Sequence, residues 1–270
     1  MGIRRSLPAV SCAILVLSIF LGSCSAGNST TTSAGADVTT TTGTDAPASG
    51  SESHGDLTAD LASPAQEVLN AVYSTVVNIS VSGTVRGRTG QGIGSGIVYT
   101  SDGYIMTNEH VVTLDGNLTS GQSIMVTFSS GEQVPATLVG TDTARDLAAL
   151  KVDKTGLDPV TFARSSEVQL AEWAIVIGSP LDFRNSINLG IVSGLDRTLD
   201  FGAGQTFTGL MQIDAAVSPG NSGGGCFDAQ GHFIGMPEIY LPPGQTGAVD
   251  ISFAIPADVV ASAAKTLTGK

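Results

Sequence analysis

Short apolar runs separated by turn residues make up most of the folded part of this chain. They form two similar series, Val76–Val152 and Trp173–Ile255, with a looser stretch at 154–167 between them. Many short strands at close spacing are typical of β-barrels and sandwiches. The pattern therefore predicts an all-β fold of two packed β-barrels, at about 75–160 and 165–260.

The ends of the folded region, residues 57–270, carry helix signals instead. Pro64 is followed by a glutamine and a glutamate, a typical first turn of a helix. Residues 256–267 are rich in alanine and predict a closing helix. The chain has 34 glycines and only 5% aromatic residues, so tight turns are expected to be frequent.

The N-terminus has the pattern of an export signal. Arg4 and Arg5 precede an uncharged run that is too short and too polar at its end for a membrane span. The Leu-Gly-Ser-Cys sequence at 21–24 resembles the bacterial lipobox, which predicts a signal peptide over 1–23 and a lipid on Cys24. The alternative is an ordinary secretory peptide that is cut elsewhere.

Residues 24–56 consist mainly of Ser, Thr, Gly, Ala and Asp, and they cannot bury enough apolar surface to fold. We interpret this segment as a tether that holds the folded part away from the bilayer. The expected location is therefore the extracytoplasmic side of the bacterial cell membrane.

Charge and cysteine content exclude several classes of function. A net charge of −12 argues against nucleic acid as a partner, because phosphate binding needs a basic surface. If Cys24 carries lipid and Cys12 leaves with the signal peptide, only Cys226 remains, so no intramolecular disulfide can form. We expect Cys226 to be a small buried hydrophobe, with a reactive thiol as the alternative. No metal-ligand spacing is present, so no metal or cofactor is expected.

Three segments contain candidate catalytic residues. Ser222 lies in a Gly-Asn-Ser-Gly-Gly turn, where flanking glycines allow an open backbone with amides that point at one oxygen. His110 follows a predicted strand and precedes two valines, and Asp146 lies at the mouth of an apolar strand. The other two histidines are less suited to be a base, because His54 is in the tether and His232 begins a predicted strand. Taken singly, a plain turn and an ordinary loop carboxylate are equally good interpretations of Ser222 and Asp146.

Together these segments resemble the trypsin-like serine proteases of the HtrA (Deg) family, over residues 64–260. The order His, Asp, Ser is that of the chymotrypsin fold. The matching motifs are Gly94-Ser95-Gly96, Thr107-Asn108-x-His110-Val111-Val112, Arg145-Asp146-Leu147-Ala148, Asp214-Ala215-Ala216, residues 219–224 and Phe253-Ala254-Ile255-Pro256.

The resemblance implies two six-stranded barrels and a role for each residue. Ser222 would be the nucleophile, His110 the general base and Asp146 the group that orients the imidazole. The backbone of Gly220 and Ser222, with Asn221, would form the oxyanion hole. The family's C-terminal PDZ domain is not expected here, and Gly225-Cys226 stands where the family typically has Pro-Leu.

The resemblance also predicts specificity. Ala216, six residues before the nucleophile, would form the floor of the primary pocket, with Ile251, Ser252 and Phe253 as its wall. An uncharged, small floor cannot pair with Arg or Lys, so we expect cleavage after small or medium aliphatic residues.

Activation is expected to differ from that of digestive proteases. Asn221 occupies the position of the Asp that pairs with their freed N-terminus. Control is therefore expected from loop order at 181–190 and 215–221 rather than from zymogen cleavage.

The leading hypothesis is an envelope protease that removes unfolded or damaged exported polypeptides. A narrow regulatory protease and a catalytically silent chaperone or binding module on the same scaffold are the alternatives. The expected partners are these polypeptides and the membrane, through the lipid on Cys24. The sequence leaves the oligomeric state open, and Tyr73 gives weak support for a homotrimer.

Overall fold

The computed structural model describes residues 64–178, 186–200, 206–218, 220–240 and 251–270. The described chain opens with helix α1 (Pro64–Val72) and a 3₁₀ turn (Tyr73–Thr75). It ends with helix α3 (Ala257–Thr268), and a short helix α2 (Glu109–Thr113) lies between them in the chain. No helix in these ranges is long and apolar enough to cross a membrane.

The first barrel closes in the order β1-β2-β3-β6-β5-β4, and every pair in it is antiparallel. Its strands are β1 (Val76–Val85), β2 (Arg88–Val98), β3 (Tyr104–Thr107), β4 (Leu118–Thr127), β5 (Gln133–Asp142) and β6 (Leu147–Val152). Helix α2 connects β3 to β4.

The second barrel repeats this antiparallel design with the order β10-β11-β12-β9-β8-β7. Its strands are β7 (Trp173–Gly178), β8 (Ser186–Asp200), β9 (Thr206–Ile213), β10 (Gly225–Phe227), β11 (Phe233–Tyr240) and β12 (Ser252–Pro256). The prediction of an all-β fold with two six-stranded barrels is confirmed.

Three apolar clusters hold this architecture together. One fills the first barrel around Ile79, Ile105 and Leu150, and another fills the second around Val176 and Ile213. The third joins the barrels and the terminal helices; it includes Ile97, Met106, Ile175, Phe227, Phe233 and Val260. Burial of so many large side chains supplies the main driving force for folding, at about 25 cal/mol per Å² of apolar surface.

Strand β2 begins at Arg88, in a stretch that the apolar pattern of the sequence does not mark as a strand. Its first half alternates glycines with polar residues, a pattern without apolar periodicity. The glycines have a packing role, because a Cβ at Gly92 would lie 2.4 Å from Leu114 and one at Gly94 would lie 2.5 Å from Val111. These two glycines let α2 and the residue after it approach the strand closely.

Candidate active site

His110 is held at the start of α2, directly after β3. The side chain of Asn108, two residues earlier, donates from Nδ2 to the carbonyl oxygen of Asp146 over 2.9 Å. The backbone amide of Glu109 donates to the same oxygen over 3.1 Å. Two hydrogen bonds therefore tie the segment that carries His110 to the segment that carries Asp146.

Asp146 lies in the turn between β5 and β6, with a positive φ of 52°. Arg145 and Asp142 form an ion pair within the same turn, at 2.6 Å. The Asp146 carboxylate accepts twice from His110: the backbone N–H reaches Oδ1 at 2.8 Å and Nδ1 lies 2.5 Å from Oδ2. The structure thus brings together two residues that are 36 positions apart, with the imidazole oriented through Nδ1.

The pKa of His110 reflects a balance of burial and nearby charge. Burial lowers the pKa of the imidazole, but the hydrogen bond and the charge of Asp146 raise it, and the charges of Asp115 and Glu109 add to that increase. The net pKa is raised above the usual value for histidine. An imidazole held in this way binds a proton well, as a general base must.

Ser222 lies on a turn that is fixed to the first barrel. The backbone amide of Ser95, on β2, donates to the carbonyl oxygen of Ser222 at 2.9 Å, and Ser95 Oγ donates to the carbonyl oxygen of Gly220 at 2.6 Å. Thr107 Oγ1, on β3, donates in turn to the carbonyl oxygen of Ser95 at 2.6 Å. The turn therefore lies against the two strands that lead to His110.

Gly223 shows how close this approach is. Its φ is +81°, and a Cβ there would lie 2.3 Å from Thr107 Oγ1, 2.4 Å from the carbonyl oxygen of Ser95 and 3.0 Å from the backbone nitrogen of Asn108. Only glycine fits this position without displacement of its neighbours. The turn of Ser222 thus contacts the residue two positions before His110.

The backbone amides around Ser222 differ in their hydrogen bonding. Within the described residues, neither the amide of Gly220 nor that of Ser222 donates a hydrogen bond. Gly220 has a φ of 103°, and the amide of Asn221 is engaged by the carbonyl oxygen of Ser218 at 2.9 Å. The Asn221 side chain is fully buried. In the same part of the chain no hydrogen bond joins Ser222 Oγ to His110.

The sequence was compared with known families and proteins. Residues 94–236, more than half of the chain, match the family described as trypsin-like peptidase domain. The chain belongs to the trypsin-like peptidase family. The match spans His110, Asp146 and Ser222 together with the strands that carry them.

Individual relatives point the same way. A Pseudomonas putida protein named "Probable periplasmic serine endoprotease DegP-like" is 41% identical over 175 residues, which are 64% of this chain and 34% of that protein. A Halomonas elongata protein of the same name is 39% identical over 176 residues, which are 65% of this chain and 35% of that protein. This chain therefore spans about a third of the length of the curated relatives it matches.

A solved structure described as an HtrA-type protease AlgW with tripeptide superposes with a TM-score of 0.65 and 29% identity. The match covers 76% of this chain and 64% of that chain. The predicted resemblance to the HtrA proteases is thus confirmed for the peptidase domain.

The residues predicted to line the specificity pocket of this trypsin-like peptidase domain come from two segments, which the structure brings together. Ser252 pairs with Ile213 across β12 and β9, so the residues after β9 lie beside the start of β12. Ala216 is exposed in the loop after β9, whereas Ser252 and Phe253 are buried and Ile251 is half-buried. Ser252 Oγ is buried without a hydrogen-bond partner among the described residues.

Other candidates fall outside the site or outside the described residues. Cys226 is a buried free thiol, and burial raises its pKa far above the usual range, which makes it unreactive. His232 pairs with Asp228 at 3.0 Å, in the turn between β10 and β11. The predicted lipidation site Cys24 and the first part of the 181–190 loop lie outside the described residues. No cluster with the donors of a metal site occurs in the described ranges.

Sequence reasoning missed two groups, one that holds the nucleophile turn and one that is a buried acid. Ser95 was recognised only as part of a motif, although it fixes the nucleophile turn through two hydrogen bonds. Glu238, on β11, is buried in the domain and its pKa is influenced by Asp146. A glutamate in an apolar strand was the one signal that could have drawn attention to it.

Proposed function

We propose that the protein is a serine endopeptidase of the HtrA type, with Ser222 as nucleophile, His110 as general base and Asp146 as the orienting carboxylate. The observation that carries this proposal is the paired hydrogen bonding of His110 by Asp146, next to a serine turn that is fixed against the same strands. The match to the trypsin-like peptidase family supports it.

The reaction begins with attack of Ser222 Oγ on the scissile carbonyl carbon, while His110 Nε2 accepts the hydroxyl proton. Asp146 holds the proton on Nδ1 and stabilises the imidazolium. The negative oxygen of the tetrahedral intermediate is bound by the backbone amides of Gly220 and Ser222. The intermediate then collapses, the C–N bond breaks, and His110 returns the proton to the leaving amine. Water repeats the sequence on the acyl-enzyme and releases the acid product.

The proposal requires Ser222 and His110 to form a hydrogen bond when substrate binds. Catalytic hydrogen bonds are often long or poorly aligned before substrate is present, and they tighten in the complex. We propose that control by loop order would act through the segments 181–190 and 215–221. Zymogen cleavage is not required, because Asn221 lacks the carboxylate that would pair with a new N-terminus.

The proposed substrates are unfolded or damaged exported polypeptides, cleaved after small or medium aliphatic residues. Ala216, Ile251, Ser252 and Phe253 would line the primary pocket, and none of them carries a charge to pair with Arg or Lys. The name of the relatives, periplasmic serine endoproteases, supports an extracytoplasmic location. A lipid on Cys24 would anchor the domain to the membrane.

A fluorophosphonate probe tests the catalytic assignment, because it labels an activated serine. We expect labelling of the wild-type chain, no labelling of Ser222→Ala, and normal labelling of Ser130→Ala, which removes an exposed serine hydroxyl far from the site in sequence. If well-folded wild-type protein is not labelled, the silent binding module is the better assignment.

Substrate choice has its own tests. In a peptide library we expect cleavage after Ala, Val or Leu, and cleavage chiefly after Arg or Lys would contradict the pocket. Degradation of casein beside a folded control protein separates general removal of unfolded chains from narrow regulatory cleavage.

A further inference from the structure

Ser95 lies between two glycines of β2, Gly94 and Gly96, where this strand meets the nucleophile turn. The residue is fully buried. A buried hydroxyl lowers stability unless it forms a hydrogen bond, and Ser95 Oγ donates to the carbonyl oxygen of Gly220 at 2.6 Å. The backbone amide of Ser95 donates to the carbonyl oxygen of Ser222 at 2.9 Å. Ser95 thus holds both residues whose amides would bind the oxyanion, but it holds them through their carbonyl oxygens.

The hydrogen bonds of the turn determine where the N–H of Ser222 points. A peptide unit is planar and trans, so the carbonyl oxygen of one residue and the N–H of the next point in opposite directions. The carbonyl oxygen of Asn221 accepts from the backbone amide of Gly224 at 3.0 Å, which directs the N–H of Ser222 to the opposite side. The next peptide unit is also held, because its carbonyl oxygen accepts from Ser95. The N–H of Ser222 is therefore fixed from within the turn and from β2.

The N–H of Gly220 is held less directly. Its direction relative to the carbonyl group of the same residue depends on the two backbone torsions, and φ is +103°. Glycine adopts many combinations of φ and ψ, so the N–H of Gly220 can rotate when its carbonyl group is free. The peptide unit after Gly220 has two hydrogen bonds: Ser95 Oγ donates to its oxygen, and the amide of Asn221 donates to the carbonyl oxygen of Ser218 at 2.9 Å. Of these two, only the hydrogen bond from Ser95 comes from outside the turn.

The surroundings of Ser95 hold its side chain in place. A Cβ at Gly178 would lie 3.1 Å from Ser95 Oγ, and one at Gly224 would lie 3.2 Å from Ser95 Cβ, so backbone encloses the side chain on two sides. The carbonyl oxygen of Ser95 accepts from Thr107 Oγ1 at 2.6 Å. A residue that positions other groups has to be fixed in this way by packing and by its own hydrogen bonds.

We propose that Ser95 is a positioning residue of the oxyanion hole: its hydroxyl fixes the carbonyl oxygen of Gly220 and so keeps the N–H of Gly220 aimed at the oxyanion. Ser95 is buried and acts through Gly220 rather than on the substrate. Because the hole binds charge that develops in the transition state, the hydroxyl should affect kcat more than KM. This inference rests on the proposed function, because it acts through the oxyanion hole beside Ser222.

Ser95→Ala tests the proposal, because it removes the hydroxyl and keeps the backbone amide that donates to Ser222. Thr75→Val is the matched control, since Thr75 is buried before β1 and its Oγ1 donates to the carbonyl oxygen of Val72 at 2.8 Å. Both variants lose one buried hydrogen bond to a backbone carbonyl, so both should lose stability.

Only the Ser95 variant should lose catalysis. We expect Ser95→Ala to lower kcat about tenfold to a hundredfold with little change in KM, since loss of a whole oxyanion donor costs about 10²–10³ in kcat. Thr75→Val should keep the wild-type kcat. Equal kcat values for the two variants would overturn the proposal and leave Ser95 as a structural anchor.

A peptide boronic acid separates the oxyanion hole from the rest of the site. It forms a tetrahedral adduct with the serine nucleophile and places a negative oxygen in the hole, as a transition-state analogue does. The same peptide without the boron group binds through its remaining contacts. We expect Ser95→Ala to weaken binding of the boronic acid about tenfold to a hundredfold and to leave binding of the other peptide unchanged. An equal loss for both ligands would overturn the proposal.

Backbone dynamics give a measurement that requires neither activity nor a folded Ser95→Ala variant. In a Ser222→Ala background, which prevents self-digestion, ¹⁵N relaxation reports the order parameter of the Gly220 N–H. We expect a value of about 0.85, as in rigid backbone, and a lower value when Ser95→Ala is added. An order parameter below about 0.6 with Ser95 present would overturn the proposal, because the hydroxyl would then not fix Gly220.

These measurements also keep the inference apart from the proposed function. If peptide hydrolysis by the wild-type chain does not depend on Ser222, the proposed function fails, and the inference fails with it. If hydrolysis depends on Ser222 but Ser95→Ala and Thr75→Val behave alike, only the role of Ser95 is wrong.

Discussion

Replacement of Asp146 by asparagine tests the core of the proposed mechanism. The carboxylate accepts from two donors of the same residue, the backbone N–H of His110 at 2.8 Å and Nδ1 at 2.5 Å. The two donors reach different oxygens of the carboxylate, and an asparagine side chain has only one oxygen, so it can replace only one of these hydrogen bonds in place. If that oxygen stays with the backbone N–H, the amide NH₂ group faces Nδ1.

The consequence is a change of tautomer. Nδ1 of His110 must then accept a hydrogen bond, so the ring proton moves to Nε2, the atom that should take the proton of Ser222. The corresponding change in a Ser-His-Asp protease lowers kcat about ten-thousand-fold. At 1.36 kcal/mol for each tenfold change, this loss corresponds to about 5.4 kcal/mol of transition-state stabilisation.

The assay is the rate of peptide hydrolysis, together with the rate of fluorophosphonate labelling. Asp142→Asn is the matched control, because Asp142 lies in the same turn and forms an ion pair with an exposed Arg145. Such pairs contribute about 0–1 kcal/mol, so this variant should remain active. If Asp146→Asn retained more than about a tenth of wild-type kcat, Asp146 would not be the orienting carboxylate.

Three further outcomes are expected. Gly223→Ala should reduce the free energy of unfolding by about 2 kcal/mol or more and abolish labelling, because a Cβ collides with backbone and side-chain oxygens, whereas Gly87→Ala, with a similar φ and open space, should remain active. Asp115→Asn removes a charge that raises the pKa of His110, so the acid limb of the kcat/KM profile should move to lower pH; an unchanged limb would contradict this. Iodoacetamide should modify Cys226 only in denaturant, as mass spectrometry of its peptide would show, and modification of the native protein would refute its burial.

The fold was predictable from sequence where short apolar runs correspond to buried strands. The apolar runs that contain Ile105, Leu150 and Ile175 lie in strands, because their side chains fill the cores. The first half of β2 was not predictable, since its alternating glycines leave no apolar pattern even though they are needed to seat α2. Strand β10, with three residues, is too short to give a periodic signal, and its pairing with β7 and β11 comes from the tertiary structure.

From the sequence, the candidate site was predictable only as a set of residue types in the chain order His, Asp, Ser. The sequence indicates His110 and Asp146, but the double hydrogen bond between them depends on the left-handed backbone of Asp146, a conformation that motifs do not specify. Glu238 was not predictable, because a glutamate in a strand is normally expected at the surface. Glu238 lies at the register shift in β11, which depends on pairing with β12.

Some buried polar atoms lack a hydrogen-bond partner within the described residues, and such atoms lower the stability of a fold. Within the described residues these atoms belong to Asn108, Asn221, Glu238 and Ser252, and all of these residues except Glu238 adjoin a proposed catalytic residue or belong to the proposed pocket. An unsatisfied buried polar group costs about 1–3 kcal/mol, and most native structures have few of them. Three of these four residues belong to the proposed site, which argues that this region is organised for a ligand or a reaction and not for stability alone. Substrate backbone, ordered water or a shifted loop would satisfy these groups, so binding at this site should stabilise the folded domain.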